Sequence, residues 1–301
     1  LAGIVQGICT MAASYRLPGK NNRLCWDTKS AREIYHFGRW ILLSTAMNFA
    51  DASADRLIFG KLVSLAALGV YNIGATMAML STQVISRIST TLIFPVLSRV
   101  NEEGGEVGPQ FLRLRKPLLI LAAWTSSVLV AGGAPLMHTL YDPSYAESGW
   151  ILQFLAAGYW FRGPYQMNQV ALLALGDSRW VAGLNAIKVL GMVTLIPIGW
   201  TLWGFHGAVV AIAGAEFVRY GTSLVATHRH GIRSFAEDLR YTAQVAVASA
   251  GGLLLSDWMY EQSVPTALTF LAVAGSVTLL WTPELVPTAL QFLRRHSRER
   301  A

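Results

Sequence analysis

Apolar residues along this chain come in long blocks separated by short polar stretches. A bilayer core takes roughly 20 mostly apolar residues per helix. Blocks of that size fall at 37–58, 66–90, 116–139, 149–172, 181–203, 205–227, 242–259 and 264–285. Residues 1–14 read as the truncated end of a preceding span. Backbone polar groups in lipid have to be satisfied within their own segment, so the blocks are expected to be helices. A transmembrane β-barrel would show shorter segments of alternating polarity, and that pattern is missing. The expected fold is all-α, a polytopic transmembrane helical bundle of about eight full spans plus one truncated N-terminal span.

The polar stretches sort by charge. Residues 15–36 form a basic loop with Arg16, Lys20, Arg23, Lys29 and Arg32. Two connections later come Arg99, Arg113, Arg115 and Lys116; then Arg179; then Arg229, Arg233 and Arg240 in 228–241. The tail, 286–301, carries Arg294, Arg295, Arg298 and Arg300. The alternate connections hold Asp142 and Glu147, then 204–206, then Asp257 and Glu261. Their cations are confined to Arg56 and Lys61 beside the first full span. Cytoplasmic loops collect Lys and Arg, so the basic loops and the C-terminus are expected in the cytoplasm. The longest of these connections after the first, 90–115, contains Pro95, Gly104, Gly105 and Pro109 and reads as a short surface helix or loop.

Composition narrows the function classes. Hydrophobic residues make up 53% of the chain and charged ones only 14%, too few to coat a soluble domain of this size. The formal net charge of +7 lies in loops between apolar blocks, which marks membrane topology and excludes a nucleic-acid surface. Cys9 sits in an apolar run and Cys25 in a basic loop, a poor basis for a structural disulfide. Zinc spacings, phosphate loops and nucleophile motifs are missing, so no cofactor, no metal and no catalytic residue is expected.

Polar residues inside the blocks carry the functional signal, because intramembrane charges face a bundle interior or a wet cavity. Ser44, Asn48, Asp51 and Asp55 share one helical face, either a wall of a translocation path or a hydrogen-bonded helix contact. Asn72, Thr76, Gln83 and Arg87 share another, with Arg87 close enough to the cytoplasmic end to anchor on lipid phosphate. Tyr159, Arg162, Gln166 and Gln169 form a third face, with Gly163 and Pro164 predicting a kink beside Arg162. Arg162 either binds a phosphate or pairs with a carboxylate such as Asp51 or Glu216. Lys188, near Asn185, either snorkels to the cytoplasmic surface or touches a ligand. Glu216 and Arg219, three apart, either neutralise one another or provide a coupling carboxylate. The candidate cavity residues are therefore Asp51, Asp55, Arg162, Gln166, Lys188, Glu216 and Arg219.

Three short motifs occur in order: Ala54-Asp55-Arg56-Leu57-Ile58-Phe59-Gly60-Lys61, Leu68-Gly69-Val70-Tyr71, and Phe94-Pro95-Val96-Leu97-Ser98-Arg99. Tyr145-Ala146 follows before a later span. Together they resemble the oligosaccharide flippases, the polysaccharide and O-antigen translocases of the multidrug/oligosaccharidyl-lipid/polysaccharide exporter superfamily. The resemblance implies a six-helix C-terminal lobe at 37–227, two additional transmembrane helices at 242–285, and an N-terminal lobe outside this sequence as partner. It further implies transport of a lipid-linked pyrophosphate oligosaccharide across the bacterial cytoplasmic membrane for surface polysaccharide or lipopolysaccharide biosynthesis. Expected neighbours are glycosyltransferases and a polysaccharide polymerase. The alternative within the same superfamily is a proton- or sodium-coupled exporter of drugs or metabolites, with Asp51 or Glu216 as coupling group. A membrane glycosyltransferase or acyltransferase would need a sizeable extramembrane catalytic loop, and the outer loops are too short for one.

Overall fold

The computed structural model describes residues 28–298 and four isolated positions before them, Val5, Gly7, Cys9 and Thr10. The expected truncated span at 1–14 therefore lies mostly outside the described residues, as does the basic loop up to residue 27. The chain divides into two compact units, Leu1–Arg39 and Trp40–Ala301.

Every described element is helical. They are α1 (Thr28–Leu62), α2 (Leu65–Ile88), a π-helical turn (Ser89–Ile93), α3 (Phe94–Glu102), α4 (Val107–Leu140), a 3-10 turn (Pro143–Tyr145), α5 (Ser148–Ala174), α6 (Ser178–Arg229), α7 (Phe235–Glu261) and α8 (Thr266–Arg298). Each of the expected spans falls on one of these helices. Among the described residues four stretches are long and apolar enough to cross a membrane: Leu65–Glu102, Val107–Leu140, Ser178–Arg229 and Thr266–Thr288. Their outward faces carry exposed large apolar side chains such as Leu80, Leu190 and Leu279, which suits contact with lipid rather than water.

A straight helix of α6's 52 residues would run roughly 78 Å at 1.5 Å per residue, far more than a bilayer's thickness. It folds back instead. Trp203 and Gly204 leave helical geometry, Gly204 at φ 59° and ψ −138°, a conformation that suits glycine. The arms 178–202 and 205–229 then pack antiparallel, with the backbones of Gly199 and Gly207 in direct apposition, too close for a Cβ on either. The break stands where the sequence separates blocks 181–203 and 205–227.

Helix α5 occupies the centre, packed against α2, α4 and both the arms of α6 and the short segments around them. The two largest of its apolar clusters flank it. One gathers Phe111, Leu119 and Ile120 with Trp160, Tyr241, Val273 and Trp281. The other gathers Phe59 and Tyr71 with Ile151, Leu155, Ile196 and Val209.

Loop boundaries are where the fold departs from expectation. Residues 28–36 belong to α1, and 286–298 to α8, so both expected loops are partly helical. The 90–115 connection is mostly helix too, because Ile93 and Leu97 find buried apolar contacts. Helix α5 runs through Gly163 and Pro164 without a break. Its apposed Gly163 brings it against Ala122 of α4, which holds the helix on course.

Candidate functional site

Glu216, on the second arm of α6, is fully buried and sits opposite three cations. Lys188 Nζ lies 2.7 Å from its Oε1, Arg162 Nη1 lies 3.3 Å from the same oxygen, and Arg219 Nη2 pairs with Oε2. Three separate stretches supply those cations: α5, the first arm of α6 and the second arm. The α6 hairpin brings Lys188 beside Glu216, although 28 positions of sequence separate them. Lys188 is therefore buried against a carboxylate and does not snorkel, because its partner lies inside the bundle. Glu216 and Arg219 are paired locally, as spacing suggested, but within a larger cluster. Arg219 also lies over the Tyr165 ring at 3.9 Å, and Tyr165 donates a 2.6 Å hydrogen bond to Asn185 Oδ1.

Of these cations Arg162 is the one that reaches open space. Its side chain is 18% exposed, against 3% for Lys188 and 2% for Arg219. It opens onto a polar cavity of about 480 Å³ between α2 and α5. Helix α2 contributes Thr82, Gln83, Ser86 and Arg87, the π-helical turn contributes Thr90, and α5 contributes Arg162 and Gln166. Among the described residues no Asp or Glu lines it. The second and third polar faces thus meet across one cavity, and Arg87 belongs to it rather than only to the lipid boundary. Gln166 holds a buried Oε1 without a hydrogen-bond partner, an acceptor available to a ligand hydroxyl or water.

The first polar face behaves differently. The side chains of Ser44, Asn48 and Asp51 lie outside the described residues. Asp55 is buried, but it does not line this cavity. It accepts a 2.6 Å hydrogen bond from the Tyr71 hydroxyl and a 2.8 Å bond from the Arg56 amide. Around them Phe59, Tyr71 and Phe205 pack edge to face, and His206 stacks on Trp150 at 4.2 Å. Asp55 is therefore a helix-pairing residue in this structure. A carboxylate beside a following aromatic span start could have carried that signal.

A second buried ion pair was invisible in the sequence. Arg115 Nη2 lies 2.6 Å from Asp238 Oδ1, with both side chains inside the protein. Tyr220 donates to Asp238 Oδ2 at 2.8 Å. The contact joins α4, α6 and α7. Both charges lie in stretches that read as cytoplasmic loop, where a charge is ordinarily solvated.

The comparisons bear on what this arrangement serves. The sequence is similar to teichuronic acid biosynthesis protein TuaB of Bacillus subtilis (strain 168), 22% identical over 178 residues. That alignment takes in 58% of this chain and 37% of the relative, so the chain spans little more than a third of the relative's length. No solved structure matches. A family model described as polysaccharide biosynthesis protein matches residues 1–168. That stretch holds the Asp55–Tyr71 contact, the α2 wall of the cavity, and Arg162 with Gln166. It covers more than half of the chain, and with its apolar helices the protein is a membrane protein that belongs to the polysaccharide biosynthesis protein family.

Proposed function

We propose that the protein moves a lipid-linked pyrophosphate oligosaccharide from the inner to the outer leaflet of the bacterial cytoplasmic membrane, for surface polysaccharide biosynthesis. It does so as a transporter and not as an enzyme. One observation carries the reading: the cavity wall bears Arg87 and Arg162 with no carboxylate among its described residues, and behind it Lys188 and Arg219 join Arg162 around Glu216. Positive potential in a low-dielectric site favours an anion. Guanidinium groups match phosphoryl oxygens, and the neighbouring Gln and Thr side chains match sugar hydroxyls. The cavity is open on one side, so a glycan extends beyond it. Alternating access needs a second bundle to rock against, and the polar wall is the face this chain offers to it. The basic connections and the C-terminus lie in the cytoplasm, and glycosyltransferases and a polymerase act before and after transport.

A proton- or sodium-coupled exporter would need a carboxylate free to change its charge partner. Glu216 faces three cations, an arrangement that suits an anion carrier better. The test is deletion of the gene followed by complementation. Loss of surface polysaccharide with accumulation of lipid-linked oligosaccharide in the inner leaflet supports the flippase. Normal polysaccharide with altered drug susceptibility would transfer the protein to the exporters.

A further inference from the structure

Helices α7 and α8 leave a groove of about 290 Å³ between them, flanked by the exposed side chains of Val247 and Leu280. It shares no residue with the polar cavity. Its polar groups come in tiers. At one end Arg240 of α7 pairs with Glu284 of α8, and the Arg240 side chain is 59% exposed. One helical turn further in, about 6 Å at 1.5 Å per residue, stand Gln244 and Trp281. Val247 and Ala248 follow, and the groove there is apolar. Two atoms of the middle tier are unsatisfied among the described residues. Trp281 is 2% exposed, and its Nε1 has no hydrogen-bond partner. Gln244 Oε1 is buried and has none either. Tyr241 stacks on the indole with centroids 6.1 Å apart, a contact with the ring face and not with Nε1. Leaving a buried donor unpaired is costly, so such atoms lining a groove point to a ligand.

We propose that the α7–α8 groove holds one phosphatidylethanolamine, taken from the leaflet beside the basic connections. An ester carbonyl of the lipid accepts from Trp281 Nε1 as the indole turns to meet it, and an acyl chain runs past Val247 and Ala248. The headgroup lies against Arg240 and Glu284. Charge, then ester, then hydrocarbon is the order of a membrane lipid, and the groove repeats it. The ion pair offers one charge of each sign to a zwitterion, the guanidinium to the phosphodiester and the carboxylate to the ammonium. A primary ammonium also has N–H donors for Glu284 and for Gln244 Oε1, and a trimethylammonium has none. A bare hydrocarbon tail is a poorer occupant, because it leaves Trp281 Nε1 unpaired. The lipid would clamp α7 to α8 and is separate from the transported anion.

The experiment strips the intact protein of lipid in detergent, adds single lipids back, and counts bound molecules by native mass spectrometry. Diester phosphatidylethanolamine binds at one molecule per chain. Its diether analogue lacks the carbonyls and binds about threefold to tenfold more weakly, the scale of one hydrogen bond. Trp281→Phe keeps an apolar ring and brings the diester lipid down to the diether level. Phosphatidylcholine binds more weakly than phosphatidylethanolamine, and Arg240→Gln with Glu284→Gln narrows that gap. Equal affinity of wild type for the diester and diether lipids, or for the two headgroups, overturns the proposal, and neither comparison depends on a variant folding. An ester preference that survives in Trp281→Phe overturns it as well, since the carbonyl would then be read elsewhere. So does a long-chain alkyl phosphate that displaces phosphatidylethanolamine at equal concentration, because the groove would then accept any tail, the cargo's own included.

Discussion

Tyr71 donates a 2.6 Å hydrogen bond to Asp55 Oδ2, and its ring packs edge-on against Phe59 with centroids 4.7 Å apart. One contact therefore fastens α1 to α2 and joins the first two sequence motifs. The spacing between those motifs reflects the turn at residues 63–64, where Ser64 caps α2 by accepting from the Ala67 amide at 3.2 Å. The motifs that make the family recognisable are, in this part of the molecule, instructions for packing.

Tyr71→Phe should accordingly lower stability by about 1.5–3 kcal/mol, the usual scale for a buried hydrogen bond to a charged group. Asp55→Ala should do the same, and the double variant should be much less destabilised than the sum. Melting followed by tryptophan fluorescence measures all three. Pyrophosphate binding at the α2–α5 cavity should be unchanged, and a large loss of binding in Tyr71→Phe would return Asp55 to the transport path.

The α6 hairpin depends on backbone contact between Gly199 and Gly207, where any side chain would strike the opposite arm. Gly207→Ala should cost about 1–3 kcal/mol by overpacking. Gly183, in the same helix, has open space where a Cβ would go. Gly183→Ala should be neutral or stabilising by up to about 1 kcal/mol. Equal melting temperatures for the two variants would contradict the hairpin.

Arg115 and Asp238 make a buried pair, so removing one leaves the other charge uncompensated. Asp238→Ala should cost about 3–5 kcal/mol and lower protein abundance. Replacing both, as Arg115→Met with Asp238→Leu, should restore much of the loss, because a matched apolar pair carries no desolvation penalty. Membrane abundance by immunoblot distinguishes the cases.

That pair also shows where sequence reading ends. Block lengths placed the helices, and the break between 203 and 205 was legible because a glycine divides two full-length apolar runs. Periodicity placed Tyr159, Arg162 and Gln166 on one face, and the structure places Arg162 and Gln166 together in one cavity. What escaped were contacts between helices distant in the chain. Arg115 and Asp238 read as loop charges because local pattern says nothing of a partner 123 positions away. For Lys188 the sequence leaves snorkelling and ligand contact both open, and only the hairpin reveals Glu216 beside it. The face with Asp55 suits either a path wall or a helix contact by sequence alone, and the Tyr71 hydrogen bond is a contact of the second kind.

Topology can be tested at the exposed turns. Ser144 lies in the acidic turn between α4 and α5, where Asp142 accepts a 3.0 Å bond from the Ser144 amide. That bond holds the Asp142 carboxyl below its usual range, so the turn stays anionic well into acid. Glu103 lies in the turn after α3, at the basic end. Cysteine at Ser144 should react with an impermeant thiol reagent outside intact cells, and cysteine at Glu103 should not. Ser234 is buried and is unsuitable as an inner reporter. The reverse labelling pattern would invert the orientation.

Arg162→Ala should abolish surface polysaccharide while leaving protein abundance near normal, and Arg162→Lys should restore it only in part. The abundance follows from the cluster. Deleting one member of a buried ion pair ordinarily destabilises because its partner is stranded. Here Lys188 at 2.7 Å and Arg219 remain on Glu216, so the carboxylate stays compensated and the fold survives. The loss of function follows from position, because Arg162 is the member of the cluster that lines the polar cavity. Partial rescue follows from shape: lysine restores a charge but lacks the planar fork that grips two phosphoryl oxygens. Glu216→Ala should behave in the opposite way, removing the carboxylate beside the buried Lys188 and Arg219 and depleting the protein from the membrane. Immunoblots and polysaccharide staining of the same cultures separate these outcomes. An Arg162→Ala protein missing from the membrane would make Arg162 structural, and one present with full polysaccharide would remove it from the transport path.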